Sequence, residues 1–131
     1  MTITEITDFV TNLEPKEINN RIAEDIMDWV SDCLLGAYDR QPIWRNRVTN
    51  VFIMPKDGWS PTTDRNNSQM VIHSIGELEL LPMFLHAIQN IIPGFYKMSG
   101  SDQMQALINA TPLQESMAAL VAFYMKKGDI K

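Results

Sequence analysis

Seven prolines cut this chain of 131 residues into short segments, and within most of them apolar residues recur three and four positions apart. Proline fixes one backbone angle, lacks an amide hydrogen and keeps its predecessor out of the α conformation. The chain therefore reads as a succession of short amphipathic helices, each bounded by a proline or a glycine. Ile3, Ile6, Phe9, Val10 and Leu13 make the first apolar stripe, which ends at Pro15. Pro15 suits the first turn of a new helix. That helix is predicted to run through Ile18, Ile22, Ile26, Trp29, Val30 and Cys33, with Glu17, Glu24, Asp25, Asp28 and Asp32 on its wet face and Gly36 as its cap. The first helix is short and has few partners in sequence. Residues 1–14 are therefore expected to form a helical arm that docks on another subunit, and residues 15–131 a single helix-rich domain.

Residues 37–47, with Pro42, read as a loop. Val48 to Met54 is the best strand segment because Val48, Val51, Phe52 and Ile53 are β-branched or aromatic. Pro55, Asp57 and Gly58 end it. A weaker strand is expected around Phe95, Tyr96 and Met98. Two strands alone are marginal, so they need helices or pairing across a subunit boundary. Beyond Asp64 the helical stripe resumes with Met70, Val71, Ile75 and Leu78. Pro82 separates it from 83–92, where Phe84, Leu85, Ile88, Ile91 and Ile92 share one side, and Pro93-Gly94 stops that helix. Ser101 is expected to cap a short turn containing Met104, Leu107 and Ile108. The last helix is the clearest: Thr111 and Gln114 form a capping box around Pro112, Lys126 and Lys127 suit its negative end, and Gly128 closes it. The fold class is α+β, a helix-rich single domain with a small antiparallel β element.

Composition narrows the function classes. At 45% apolar residues the chain is globular in type and large enough to bury roughly two-thirds of its unfolded surface. No apolar run approaches the ~20 residues that span a bilayer, so no membrane partner is expected. The start, Met1 to Glu5, lacks the form of a signal peptide, and Cys33 is the lone cysteine, so a cytoplasmic location is expected. The net charge is −5, unevenly spread. Residues 1–39 carry nine acids against Lys16 and Arg21. Residues 40–65 carry Arg40, Arg45, Arg47, Lys56 and Arg65 against Asp57 and Asp64. An acidic whole speaks against a general nucleic-acid binder, whereas the local basic stretch suits a small anion. Alternatively, those arginines are solvated or pair with the acids of the first helices.

No catalytic motif stands out. His73 and His86 have no ligand spacing to each other, to Cys33 or to acids, so neither a metal nor another cofactor is expected. Cys33, on an apolar stripe, is expected to be a buried, inert thiol. There is no Gly-x-Ser-x-Gly elbow and no glycine-rich phosphate loop. The paired acids Asp25 and Asp28, or Glu77 and Glu79, read as solvated faces. Nine methionines serve either as adaptable core filling or as an interface, with Met83, Phe84 and Leu85 exposed in the free chain.

The turn Trp59-Ser60-Pro61-Thr62-Thr63-Asp64 is the most suggestive segment. Ser60, Thr62, Thr63 and Asp64 supply oxygen acceptors beside the amides of a helix start, with Trp59 and Arg65 at the edge and Arg45 and Arg47 adding charge. Such a turn can hold an anion, or it is simply a capped turn under a packed tryptophan. Together with the helix Asn20–Trp29 and the Thr111-Pro112-Leu113 opening of an Ala/Met-rich helix, it resembles the small bacteriophage and prophage proteins that carry the phage ABA-sandwich domain. Those proteins share a Ser-Pro-Ser/Thr-Thr-Asp turn and an Ala/Thr-Pro-Leu final helix. The resemblance covers roughly residues 18–125, and it departs from the family at 83–92, where strands are usual and a helix is read here. It implies a phage-derived protein acting in the host cell cytoplasm and supplies no catalytic residues. The leading expectation is a non-enzymatic accessory protein, the expected partners being a second copy of itself and a small anionic, nucleotide-type ligand or a host factor. The alternatives are a structural or protein-binding component acting through 83–92, and a small hydrolase.

Overall fold

A computed structural model of the chain describes residues 2–35 and 40–128. Thr2 and Glu5 open α1 (Ile3–Thr11) with a reciprocal pair of bonds: the threonine hydroxyl accepts from the Glu5 amide and the glutamate from the Thr2 amide. Pro15 stands at the first position of α2 (Pro15–Arg21), which runs on through a π-helical turn, Ile22–Ile26. The helix expected to reach Cys33 stops there. Asp28 takes the left-handed conformation, with φ 57°, which aspartate tolerates better than most residues. The chain leaves as β1 (Trp29–Leu35). A distant partner fixes this break: Arg47 donates from Nε to the Asp28 carboxylate at 2.6 Å and from its amide to the Asp28 carbonyl at 3.3 Å. Trp29, Val30 and Cys33 therefore belong to a strand, and Cys33 is exposed rather than buried. The proposed cap Gly36 lies outside the described residues.

β2 (Arg40–Asn46) pairs antiparallel with β1, and β3 (Phe52–Pro55) pairs antiparallel with β2. The loop expected over 37–47 is thus a strand from Arg40 onward, residues 37–39 lying outside the described part. Pro42 is tolerated in the middle strand because β3 has already ended at Pro55, opposite Ile43, leaving one side of β2 unpaired at that point. The strand expected over 48–54 is shorter and begins later, since 47–49 form the turn and Asn50 takes φ 63°. The strand expected at Phe95–Met98 is a 3-10 turn, Phe95–Lys97, entered through Gly94 at φ 70°.

The remaining helices are α3 (Arg65–Glu77), α4 (Leu81–Ile91), α5 (Gly100–Ile108) and α6 (Pro112–Lys127). Asp64 caps α3 by accepting from the amides of Asn66 and Asn67. Ser99, not Ser101, caps α5. Thr111 and Gln114 form the predicted capping box on α6, and Gly128 ends that helix at φ 75°.

α6 is the axis of the core, touching α1, α2, α3 and α4. Ala118, Ala119 and Ala122 have no exposed surface, and their lack of bulk lets neighbouring backbones come close, while Leu120 and Val121 fill the gaps. Each fully buried aliphatic side chain of this kind contributes about 1.5–3 kcal/mol. Ile6 and Val10 of α1 lie in the same core, so the expected arm packs on α6 and α4 of its own chain. Met27, Met117 and Met125 pack against that core, whereas Met70 and Met104 are exposed. On α4, Phe84 is buried, Met83 half-buried and Leu85 exposed, so only part of the predicted apolar face is free. The sheet joins the helices through Trp29, Trp44 and Trp59. The rings of Trp29 and Trp59 meet edge-on, their centroids 4.6 Å apart. The result is a helix-rich α+β domain with a small antiparallel sheet.

Candidate functional site

The mid-chain turn is held by one residue of α2. Asn19 accepts from the Trp59 indole at 3.0 Å through its backbone carbonyl and from the Thr62 amide at 3.2 Å through its side chain. The Ser60 amide donates to the Asn67 side chain at 2.9 Å, and the amides of Thr63 and Asp64 both donate to the Ser60 carbonyl. Asp64 takes up the amides of Asn66 and Asn67. Between Trp59 and Asn67 only the Arg65 amide has no partner among the described residues. The hydroxyls of Ser60 and Thr63 bond each other at 2.6 Å, while the Thr62 hydroxyl is buried without a partner. All but one of the amides expected to be free at this helix start are therefore taken up within the molecule, as in a capped turn.

The arginines expected to add charge are likewise engaged. Arg45 pairs with Asp32 at 2.6 Å and Arg47 with Asp28 at 2.6 Å, so the basic stretch neutralises acids of the first third of the chain. Arg65 pairs with Glu115 and donates to the Ala110 carbonyl at 3.0 Å. Burial pushes the Glu115 carboxyl above its ordinary pKa, against the pull of Arg65 and of the Ser68 hydroxyl.

A different cluster forms on the outer side of the same turn. Lys16, Asn19 and Asn20 of α2 face Pro42 of β2 and Lys56, Asp57 and Trp59 across a groove of about 500 Å³. That volume lies in the range of small-ligand sites. Of the eight residues singled out in sequence, Trp59 alone lines it. Lys56 is held at the rim, its ammonium 4.4 Å from the centre of the buried Trp44 ring. Among the described residues the side chains of Lys16, Asn20 and Asp57 have no hydrogen-bond partner. With two lysines against one aspartate, the groove lining is net positive within an otherwise acidic chain. A signal for it exists in the sequence: Lys16, Asn19 and Asn20 stand at i, i+3 and i+4 on one helix face, and Lys56-Asp57 immediately precede the Gly58-Trp59 turn. Lys16 and Lys56 stand forty residues apart, so only the fold brings them to one groove.

A second, more apolar groove of about 380 Å³ lies between Met27 and the Asn66, Gln69, Met70, His73 and Ser74 face of α3. Among the described residues no three His, Cys, Asp or Glu side chains cluster so as to hold a metal, and no helix is long and apolar enough to cross a membrane.

Compared with known proteins, the chain matches no protein family, no curated protein and no solved structure.

Proposed function

We propose that this chain is a non-enzymatic accessory protein of the bacteriophage or prophage type that captures a small anionic ligand stoichiometrically in the Lys16–Lys56 groove. The observation that carries it is that two lysines on separate elements, Lys16 and Lys56, line one cavity together with Trp59. Asn19 supports the site from beneath by pinning Trp59 and Thr62, so α2 and the turn present their side chains as one rigid wall. The ligand-binding set thereby moves from Ser60, Thr62, Thr63, Asp64, Arg65, Arg45 and Arg47, which serve the fold, to Lys16, Asn20, Lys56 and Asp57 beside Trp59. The phage-type origin rests on the Ser60–Asp64 turn and the Thr111-Pro112-Leu113 helix opening. Action in the host cell cytoplasm follows from that origin.

The test is calorimetric titration of the purified chain with a panel of nucleotides, inorganic phosphate and dicarboxylates, repeated on Lys16→Ala/Lys56→Ala. Saturable heat that the double variant loses is expected, weakening with added salt. No heat from any member of the panel would remove the proposal. The origin is tested separately: flanking virion or lysogeny genes are expected, and a metabolic operon would overturn it.

A second function is favoured by one observation. Leu81 and Leu85 of α4 are 44% and 50% exposed and stand one helical turn apart, with Leu78 exposed just before them. This stripe suits a second copy of the chain or a host protein. Sedimentation that gives a monomer at all concentrations, together with a pull-down recovering only the bait, would remove it.

A further inference from the structure

Resting on the anion-capture function, we infer that the groove selects a nucleoside 5′-monophosphate, with Lys16 and Lys56 on its phosphate, Asp57 on the sugar hydroxyls and Asn20 on the base edge. The class follows from which groups are left free. All three arginines nearest the turn in sequence are committed to carboxylates. The remaining cations are lysines, which hold a phosphate as point charges rather than by a planar fork. Lys56 is already fixed over Trp44 and needs little ordering to bind. Two lysines beside one aspartate leave a net charge of +1, closer to the one or two charges of a single phosphate than to the four of a triphosphate. A triphosphate would bring more charge than two ammoniums beside a carboxylate can balance.

Asp57 decides the rest. A carboxylate in a pocket for a bare anion would only repel it, so its presence in this lining calls for a ligand that also carries donors. Neighbouring sugar hydroxyls are donors of the right kind, and an acidic side chain on a ribose is a recurring solution. Asn20 offers a donor and an acceptor on one planar amide, the pattern that pairs with a base edge. About 500 Å³ takes a whole mononucleotide, where inorganic phosphate would leave most of the groove in water.

The experiment titrates the intact chain with AMP, GMP, CMP, UMP, adenosine, ATP and inorganic phosphate. At least one monophosphate is expected to bind one-to-one, with inorganic phosphate, the matching nucleoside and ATP each at least about tenfold weaker. Asp57→Asn is expected to lower the monophosphate affinity about tenfold while leaving phosphate affinity equal or slightly raised. Asn20→Ala is expected to narrow the differences among the four bases. If inorganic phosphate binds as tightly as every nucleotide, or Asp57→Asn tightens all ligands alike, the nucleotide assignment is overturned while anion capture stands. If none of these ligands binds, and the dicarboxylates of the wider panel give no heat either, both fall together.

Discussion

The Tyr124 hydroxyl joins two side chains far from it in sequence. It accepts from Arg21 at 3.0 Å and donates to Asp25 at 2.8 Å, tying α6 to α2 and its π-helical extension inside the protein. Burial, with the Asp25 carboxylate adding to it, pushes the phenol up to about 12 from an ordinary 10.0. Because the folded value lies above the unfolded one, the unfolded chain releases its proton first as pH rises. Stability is therefore complete below about 10 and falls by about 2–3 kcal/mol between the two values. Tyr124→Phe should lose about 1–3 kcal/mol at neutral pH and show a shallower decline above pH ~10. Urea midpoints for both proteins across that range check it, and parallel declines would contradict it. Asp25, read from sequence as a solvated acid, is half-buried and bonded here, because its partner stands ninety-nine residues away.

Among the elements, Asp64 separates a folding role from a binding role. It caps α3 and does not line the groove. Asp64→Ala should cost about 1 kcal/mol of stability and leave ligand affinity unchanged; a lost affinity with unchanged stability would return the turn to the binding site. Caps and helices were legible because their signals are local: Thr111 with Gln114, Pro112 and Gly128 lie within one segment, and the helices at 3–11, 65–77, 81–91 and 112–127 follow their apolar stripes. The sheet was not legible for the same reason reversed. Trp29, Val30 and Cys33 continue a helical period by spacing alone, and the strand they form depends on pairing with β2, a partner that spacing does not reveal. Pro42 hid β2, since its acceptance depends on where β3 ends. The groove was half legible: Trp59 was found, but Lys16 and Lys56 meet only once the chain has folded.

At the scale of the whole molecule, α1 belongs to the core of its own chain. Ile6 is 1% exposed against α6 and α4. Ile6→Ala should therefore cost about 2–5 kcal/mol, independent of protein concentration. A cost that appears only at concentrations where subunits associate would instead make α1 an intermolecular arm. One further property follows from the register of β1 with β2. Cys33 stands directly across from Pro42, and residues so paired project from the same side of a sheet. The chain's lone thiol, exposed to solvent, is one cross-strand step from the groove wall. A polarity-sensitive fluorophore attached there would brighten or dim as the cavity fills, giving an optical gauge of occupancy with no engineered labelling site.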